Sequence, residues 1–392
     1  MNLRYVICSE IIDVRDGTHD SPKYIIDGGY PLITSKNINN NKIDFSNVNY
    51  ISEEDYIKIN QRSEVSNGDI IMPMIGTIGN PVIIDTDKKF AIKNVALFKL
   101  ANNETILSKY FYYILKTQDI KRQLESNKRG GTQNFVSLKN IRDLKIPLID
   151  ILEQKKIVEI LDKAQQLIDK RKKQIESLDE LVKSKFIGMF GDPITNPKGW
   201  NTCELREGIK EIKYGTSTPP VFSEEGIPFV RATNIKAGRI IENDMKYISE
   251  EEAKKIEKCK LALGDTIIVR SGANTGDNAF VSEEYVGAYG GYDIIVKLNK
   301  KINYIFLNAI LNSVYRDIII QPLTRRAGQP HLNSEQIQSL VIFMPPIELQ
   351  NQFADFVKQV DKLKFEMEKS LKELEDNFNS LMQKAFKGEL FN

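Results

Sequence analysis

Histidine, cysteine and tryptophan are scarce in this chain: two, three and one among 392 residues. Cys8, Cys203 and Cys259 are too widely spaced for a disulfide framework or a zinc pattern. With only His19 and His331, a histidine-based metal centre lacks ligands, and a catalytic triad has little to build on. No GxxxxGK[ST] phosphate loop occurs, and GAYGG (Gly287–Gly291) has the wrong spacing for a dinucleotide fingerprint. The acid pairs Glu53-Glu54 and Glu250-Glu251 sit in polar, helix-like segments and read as solvated charge rather than a general acid–base pair. No run approaches the ~18 apolar residues of a membrane span. The start MNLRYVICSE carries Arg4 and Glu10 and lacks the apolar core of a signal peptide. A cytoplasmic chain is therefore expected. The balance of 55 basic to 53 acidic residues, net +2, favours no class of partner in bulk. What these absences leave is binding without catalysis, and no metal.

What is present is a repeat. The pentapeptide YISEE occurs at Tyr50–Glu54 and again at Tyr247–Glu251. Its surroundings return with it: PLITSKNI (Pro31–Ile38) lies over PFVRATNI (Pro228–Ile235), and NGDIIM (Asn67–Met72) over LGDTII (Leu263–Ile268). Lys128-Arg129 falls over Arg325-Arg326, Gln133 over Gln329, and Gln154 over Gln350, all at offsets of 196 to 198. LVKSKFIGMF (Leu181–Phe190) then aligns with LMQKAFKGEL (Leu381–Leu390) at offset 200, so the second copy has gained four residues, about one helical turn. The period is too long for a solenoid and indicates two homologous domains.

Each copy has two parts. Residues 1–150 and 201–346 mix short β-type runs (Asp69–Ile75, Asn80–Asp85, Asp265–Arg270, Asn278–Ser282, Tyr292–Leu298) with glycine turns at Gly76, Gly79, Gly272 and Gly276. Ser108–Leu124 and Tyr304–Ile319 read as amphipathic helices, so the fold class is α+β. Residues 151–190 and 347–392 are different. Ile157, Leu161, Ala164, Ile168, Ile175, Leu178 and Val182 make a heptad seam broken at Arg171. Phe353, Val357, Val360, Met367, Leu371, Leu374, Phe378 and Leu381 make another, broken at Lys364. Each helix is expected to span ~50 Å. The stripes could be hidden by folding back on each domain or by packing on each other; the second is expected, because both helices are long and both carry a stripe. The basic breaks have two readings: they fix register, or they mark where an acidic partner docks. GDPITNPKGW (Gly191–Trp200) is the connector.

Charge is segregated. Lys109–Lys145 holds nine basic residues against three acidic ones, whereas residues 1–108 hold eleven against fourteen. Such a run is often only a solvated face, but its Lys128-Arg129 pair recurs beside glycine and glutamine in the second copy. Phosphate contact suits Lys128, Arg129, Arg325 and Arg326, where glycine turns let backbone N–H groups approach. Base reading favours Arg, Asn and Gln. The further candidates for DNA contact, whether to base or to phosphate, are Thr34, Lys36, Asn37, Met74, Thr77, Gln133 and Asn134 in the first copy. In the second they are Arg231, Thr233, Asn234, Arg270, Asn274, Gln329 and His331. Several differ between aligned positions, as two readers of different half-sites would require. For each, an ordinary surface-loop role is the alternative.

These features together resemble the specificity subunit of Type I restriction–modification systems. The resemblance covers essentially the whole chain and rests on the duplication, GDIIMPMIGTIGN and GDTIIVRSGANTGD, the glycine–glutamine elements, IDILEQKKIVEILDKAQQLIDKR, MPPIELQNQFADFVKQVDKL and FGDPITNPKGW. It implies two α/β target recognition domains separated by two long helices packed as an antiparallel coiled coil. It further implies that double-stranded DNA is read as a bipartite site and that two methyltransferase subunits dock. Restriction/translocase subunits are a further set whose presence stays open. S-adenosylmethionine, ATP and Mg are then expected on partner subunits, with no cofactor bound by this chain. A free-standing DNA-binding regulator is the alternative. A one-turn insertion in a helix would move the half-sites by about two base pairs. AGQPHL in the second copy departs from GGTQNF in the first, so contacts in that loop are expected to differ.

Overall fold

A computed structural model describes residues 3–26, 28–39, 41–76, 78–126, 135–325 and 329–390. The chain forms two compact units, Met1–Lys172 with Ser370–Asn392, and Lys173–Lys369.

The repeated sequences fold alike. In the first unit an antiparallel sheet runs Asp13–Asp16, Val95–Lys99, Ile70–Pro73, Val82–Ile83. In the second, the same order appears as Ile209–Tyr214, Ile294–Leu298, Thr266–Ile268, Asn278–Phe280. A smaller mixed sheet accompanies each, with one parallel pair: Ala91–Ile92 on Tyr30–Ile33, and Tyr289–Gly290 on Ile227–Val230. A third pairing closes each domain on itself, Arg4–Ile7 with Lys145–Leu148 and Thr202–Glu204 with Val341–Phe343.

The YISEE segments mark one junction made twice. Each ends a strand at its isoleucine and opens a helix at its serine. Ser52 Oγ accepts from Asp55 N at 3.1 Å and Ser249 Oγ from Glu252 N at 3.2 Å. Acids fill the first turn of both helices, where the N-terminal dipole favours them.

Two expected helices are each broken. Ser108–Leu124 is Ser108–Leu115 followed by Gln118–Ser126, and Tyr304–Ile319 stops at Leu311 before a wider turn at Arg316–Ile320. A hydroxyl stands at both breaks. Thr117 Oγ1 donates to Ile114 O and accepts from Ile120 N, and Ser313 Oγ donates to Ile310 O and accepts from Tyr315 N. Such local bonds compete with the continuing helix ladder.

The long helices run Ile151–Phe190 and Ile347–Lys387, 40 and 41 residues, or about 60 Å rather than ~50 Å. Each begins on its own domain through a buried glutamine. Gln154 Oε1 accepts from Leu107 N at 2.9 Å while its Nε2 donates to Thr105 O and Ile149 O. Gln350 Oε1 accepts from Asn303 N at 2.9 Å while its Nε2 donates to Lys301 O and Pro345 O. Each helix ends in the other domain's core. In the first unit Ile157 and Leu161 share a core with Met382, Ala385 and Phe386. In the second, Phe186 and Phe190 pack with Phe306, Phe343 and Phe353. Lys172 pairs with Glu375 at 2.7 Å and Lys364 with Asp179 at 2.6 Å. Rising numbers on one helix meet falling numbers on the other in both units, so the pair is antiparallel. The helices therefore do both things weighed above: they pack on each other and on the domains. The Lys364 break is closed inside the chain by Asp179, which supports register. The four extra residues leave the helices nearly equal because the second stops at Gly388 (φ +78°), whereas the first runs through Gly188 to Gly191 (φ +85°).

Candidate nucleic-acid interface

The two domains present equivalent loops with unlike chemistry. In the second, the strand Thr266–Ile268 runs out at Arg270, whose N donates to Asp293 Oδ1 at 3.2 Å and whose O accepts from Leu332 N at 2.8 Å. The Arg270 guanidinium lies over the rings of Tyr214 and Tyr292, with Cζ 4.5 and 4.3 Å from their centroids. Its Nη2 is 3.0 Å from His331 Nε2. An arginine stays protonated, so Arg270 donates and His331 Nε2 accepts, which requires a neutral imidazole carrying its proton on Nδ1. Beside this group, Gly272 and Gly276 adopt φ of +96° and +89°, forming a turn with Asn274 exposed at its tip. Thr275 Oγ1 braces that turn by donating to Gly272 O at 2.6 Å, and Gln321 Nε2 donates to Thr275 O at 3.2 Å. Gln329 lies next to Gly272. Burial pushes Asp293 up to about 6, opposed by the Arg270 N–H and charge.

In the first domain the same backbone contact is made by Met74, whose O accepts from Val136 N at 2.9 Å, while Ile75 bridges Phe135. Asp16 and Asn94 stand where Tyr214 and Tyr292 stand in the other domain. They hold His19: Nδ1 is 2.8 Å from Asn94 Oδ1 and Nε2 is 2.9 Å from Asp16 Oδ2. These bonds, the Asn94 one foremost, raise the pKa of His19 against partial burial. Arg62 also pairs with Asp16. A cleft of about 480 Å³ opens here, lined by Thr18, His19, Asp20, Lys58 and Arg62 among others.

A family model described as the Type I restriction modification DNA specificity domain matches residues 8–179 and again 197–376. The chain belongs to this family. It is 22% identical to the Type I restriction enzyme EcoKI specificity subunit of Escherichia coli K12, across 94% of this chain and 84% of that one. To a putative Type I restriction enzyme MjaX specificity subunit of Methanocaldococcus jannaschii it is 25% identical, across 92% and 87%. Among solved structures, a Type I restriction–modification S subunit from M. genitalium superposes with a TM-score of 0.56 at 17% identity, covering 98% of this chain and 96% of that chain. A chain from a study of assembly and conformational transition of the Type I system gives 0.60 at 18% identity, covering 99% and 98%. At these identities the structures speak for the fold.

Within this family frame the predicted residues sort into three groups. Lys36, Thr233, Asn274, Arg325 and Gln329 are exposed, and Arg270 and His331 are half-buried and joined to each other. Others are engaged within the protein itself. Asn37 and Asn234 are 7% and 0% exposed. Asn37 Oδ1 accepts from Thr34 N and Oγ1, and its Nδ2 donates to Asn47 O. Asn234 Oδ1 accepts from Arg231 N, and its Nδ2 donates to Ile241 O and Asn243 O. Both amides are thereby used in holding one turn. Met74, 6% exposed, is a core residue. Thr34 is tied to Asn37, and Arg231 Nη2 bonds Asp244 O and Oδ2 at 2.6 and 2.8 Å. Finally, Thr77, Lys128, Arg129, Gln133, Asn134 and Arg326 lie outside the described residues.

The basic run in the first domain is partly engaged within the protein. Lys109 pairs with Asp162, Lys116 Nζ bonds Tyr112 OH at 2.8 Å, and Arg142 donates twice to Val14 O. Sequence reasoning did not pick out Tyr214, Tyr292, Asp16 or Asn94 as site residues. The signal was available in the self-alignment: these are strand-end positions where the two copies carry unrelated side chains inside a shared frame.

Proposed function

We propose that this chain is the DNA-reading subunit of a Type I restriction–modification complex, in which the parts 1–150 and 201–346 each read one half of a bipartite target. The observation that carries this reading is one scaffold with two chemistries. Met74, Phe135, Asp16 and Asn94 in the first domain occupy the places of Arg270, His331, Tyr214 and Tyr292 in the second. A duplication preserved for packing alone has no need to diverge at these strand ends while retaining its buried Gln154/Gln350 and Asn37/Asn234 pairs. Sequence information in DNA is carried by base edges, and different half-sites demand different side chains.

The chain itself performs no chemistry in this proposal. Methyl transfer to adenine belongs to two methyltransferase subunits, one for each half of the duplicated chain, with S-adenosylmethionine bound there. ATP and Mg serve restriction/translocase subunits where these join. Apolar side chains left exposed on the long helices, Leu167 and Leu181 on the first and Leu363 and Phe365 on the second, suit a docking partner. The deciding experiment is to express the chain with its methyltransferase subunits and map methylated bases genome-wide. A discontinuous two-part motif, absent without this chain, is expected. Tight, specific binding by the isolated chain with no partner recovered would favour the regulator instead.

A further inference from the structure

We infer that Arg270 reads a guanine in the half-site taken by the second domain, hydrogen-bonding its major-groove edge, with Tyr214, Tyr292 and His331 holding the guanidinium in reading position. This rests on the bipartite reading above and assigns one position of the motif to one side chain.

Arg270 differs from Arg231, Arg239, Arg316 and Arg206 in how its charge is met. Arg231 pairs with Asp244, Arg239 with Asp361, Arg316 with Asp277, and Arg206 with Glu204 and Glu335. The Arg270 guanidinium has no carboxylate at ion-pair distance among the described residues. It rests instead on two aromatic rings and one neutral imidazole acceptor. Aromatic faces attract the cation without consuming its N–H donors. One hydrogen of Nη2 goes to His331. Its second hydrogen and those of Nη1 have no hydrogen-bond partner among the described residues, and Nε is buried with none. Bidentate recognition therefore falls to the end-on pair, Nη1 with Nη2, the fork that matches guanine O6 and N7.

A phosphate contact is the competing use of a cation here, and the duplication argues against it. Both domains must grip the same backbone, so a phosphate ligand would be wanted in both. At the equivalent place the first domain has Met74, buried in its core, and Asp16 and Asn94 in place of the tyrosines. A base contact needs to exist in only one half-site.

The test uses the full chain assembled with its methyltransferase subunits. Once methylation mapping has defined the wild-type motif, duplexes with each G·C pair exchanged for A·T are titrated against wild type, Arg270→Met and Arg270→Lys. Wild type should lose roughly 5- to 150-fold in affinity at one guanine of one half-site. Arg270→Met should be indifferent to that base and should methylate a motif degenerate there, Arg270→Lys, lacking the planar fork, should discriminate less sharply than the parent, and both should keep the other half-site and the spacer, which also shows that they fold. Retention of the full guanine preference by Arg270→Met would overturn the assignment. So would an unchanged motif with uniformly weaker binding and a salt dependence lowered by about one ion, the mark of a phosphate contact. If the wild-type complex yields no bipartite motif, the broader function fails, and that result is distinct from either of these.

Discussion

At the scale of single residues, the side chains that hold the fold are easier to weigh than those that read DNA. Gln154 and Gln350 are fully buried, and each satisfies one backbone N–H and two carbonyls where a long helix meets its domain. Leucine fits the volume but abandons all three groups in the core. Gln154→Leu and Gln350→Leu should each cost about 3 kcal/mol, by the desolvation of unsatisfied groups. Urea denaturation of the full chain measures this, and a change below ~1 kcal/mol would count against the role assigned. Asp293 makes a pH prediction. Its carboxyl is raised by burial to about 6 from 3.8. Between those values the folded chain keeps a proton that the unfolded chain releases. Stability therefore falls as pH rises through this window, by on the order of 3 kcal/mol in all. Asp293→Asn removes that dependence, so its stability relative to the parent should climb from pH 4 to pH 7. A difference that does not vary with pH would refute the buried-carboxyl account.

At the scale of elements, two irregularities reveal local competition. Thr117 and Ser313 break helices that their apolar patterns would continue, because each hydroxyl bonds the turn before it and caps the turn after it. In the helix pair, Lys364 sits in the apolar stripe with its side chain 15% exposed, and Asp179 meets it from the partner helix. Removing one partner is not equivalent to removing the other. Asp179→Ala strands a half-buried ammonium and should cost about 1 kcal/mol, whereas Lys364→Met restores an apolar stripe and should be neutral or stabilising. Thermal or urea unfolding of the two variants distinguishes them, and equal losses would show that the pair does not sit in the seam as described.

For the whole molecule, the governing feature is that each compact unit contains one recognition domain and half of each long helix. On the function proposed above, helix length is expected to belong to the DNA specification as much as the loops do. Deleting one heptad from each helix at facing positions keeps the stripes in phase and removes ~10.5 Å. The gap between the two half-sites of the methylated motif should shorten by about three base pairs, with both half-sites unchanged. Sequencing of methylated DNA reports this directly; an unaltered gap would separate the helices from spacer choice.

The duplication, the α+β class, the long helices and the seam residues were legible in the amino-acid sequence, since each depends on periodicity or on a recurring local junction such as YISEE. The recurrence of Gln154 as Gln350 was equally visible, though its reason was not. Other features required contacts between residues distant in sequence. Met74 and Arg270 align, yet only packing shows the first inside a core and the second lying on Tyr214 and Tyr292. Asn37 and Asn234 have the right chemistry for adenine and the wrong burial. Sequence by itself determined which positions are paired between the copies and which faces must be hidden, because hydrophobic period and turn chemistry are local. Tertiary structure alone decided which polar groups still face outward, because a side chain's freedom to bind depends on which neighbours the fold has already set against it.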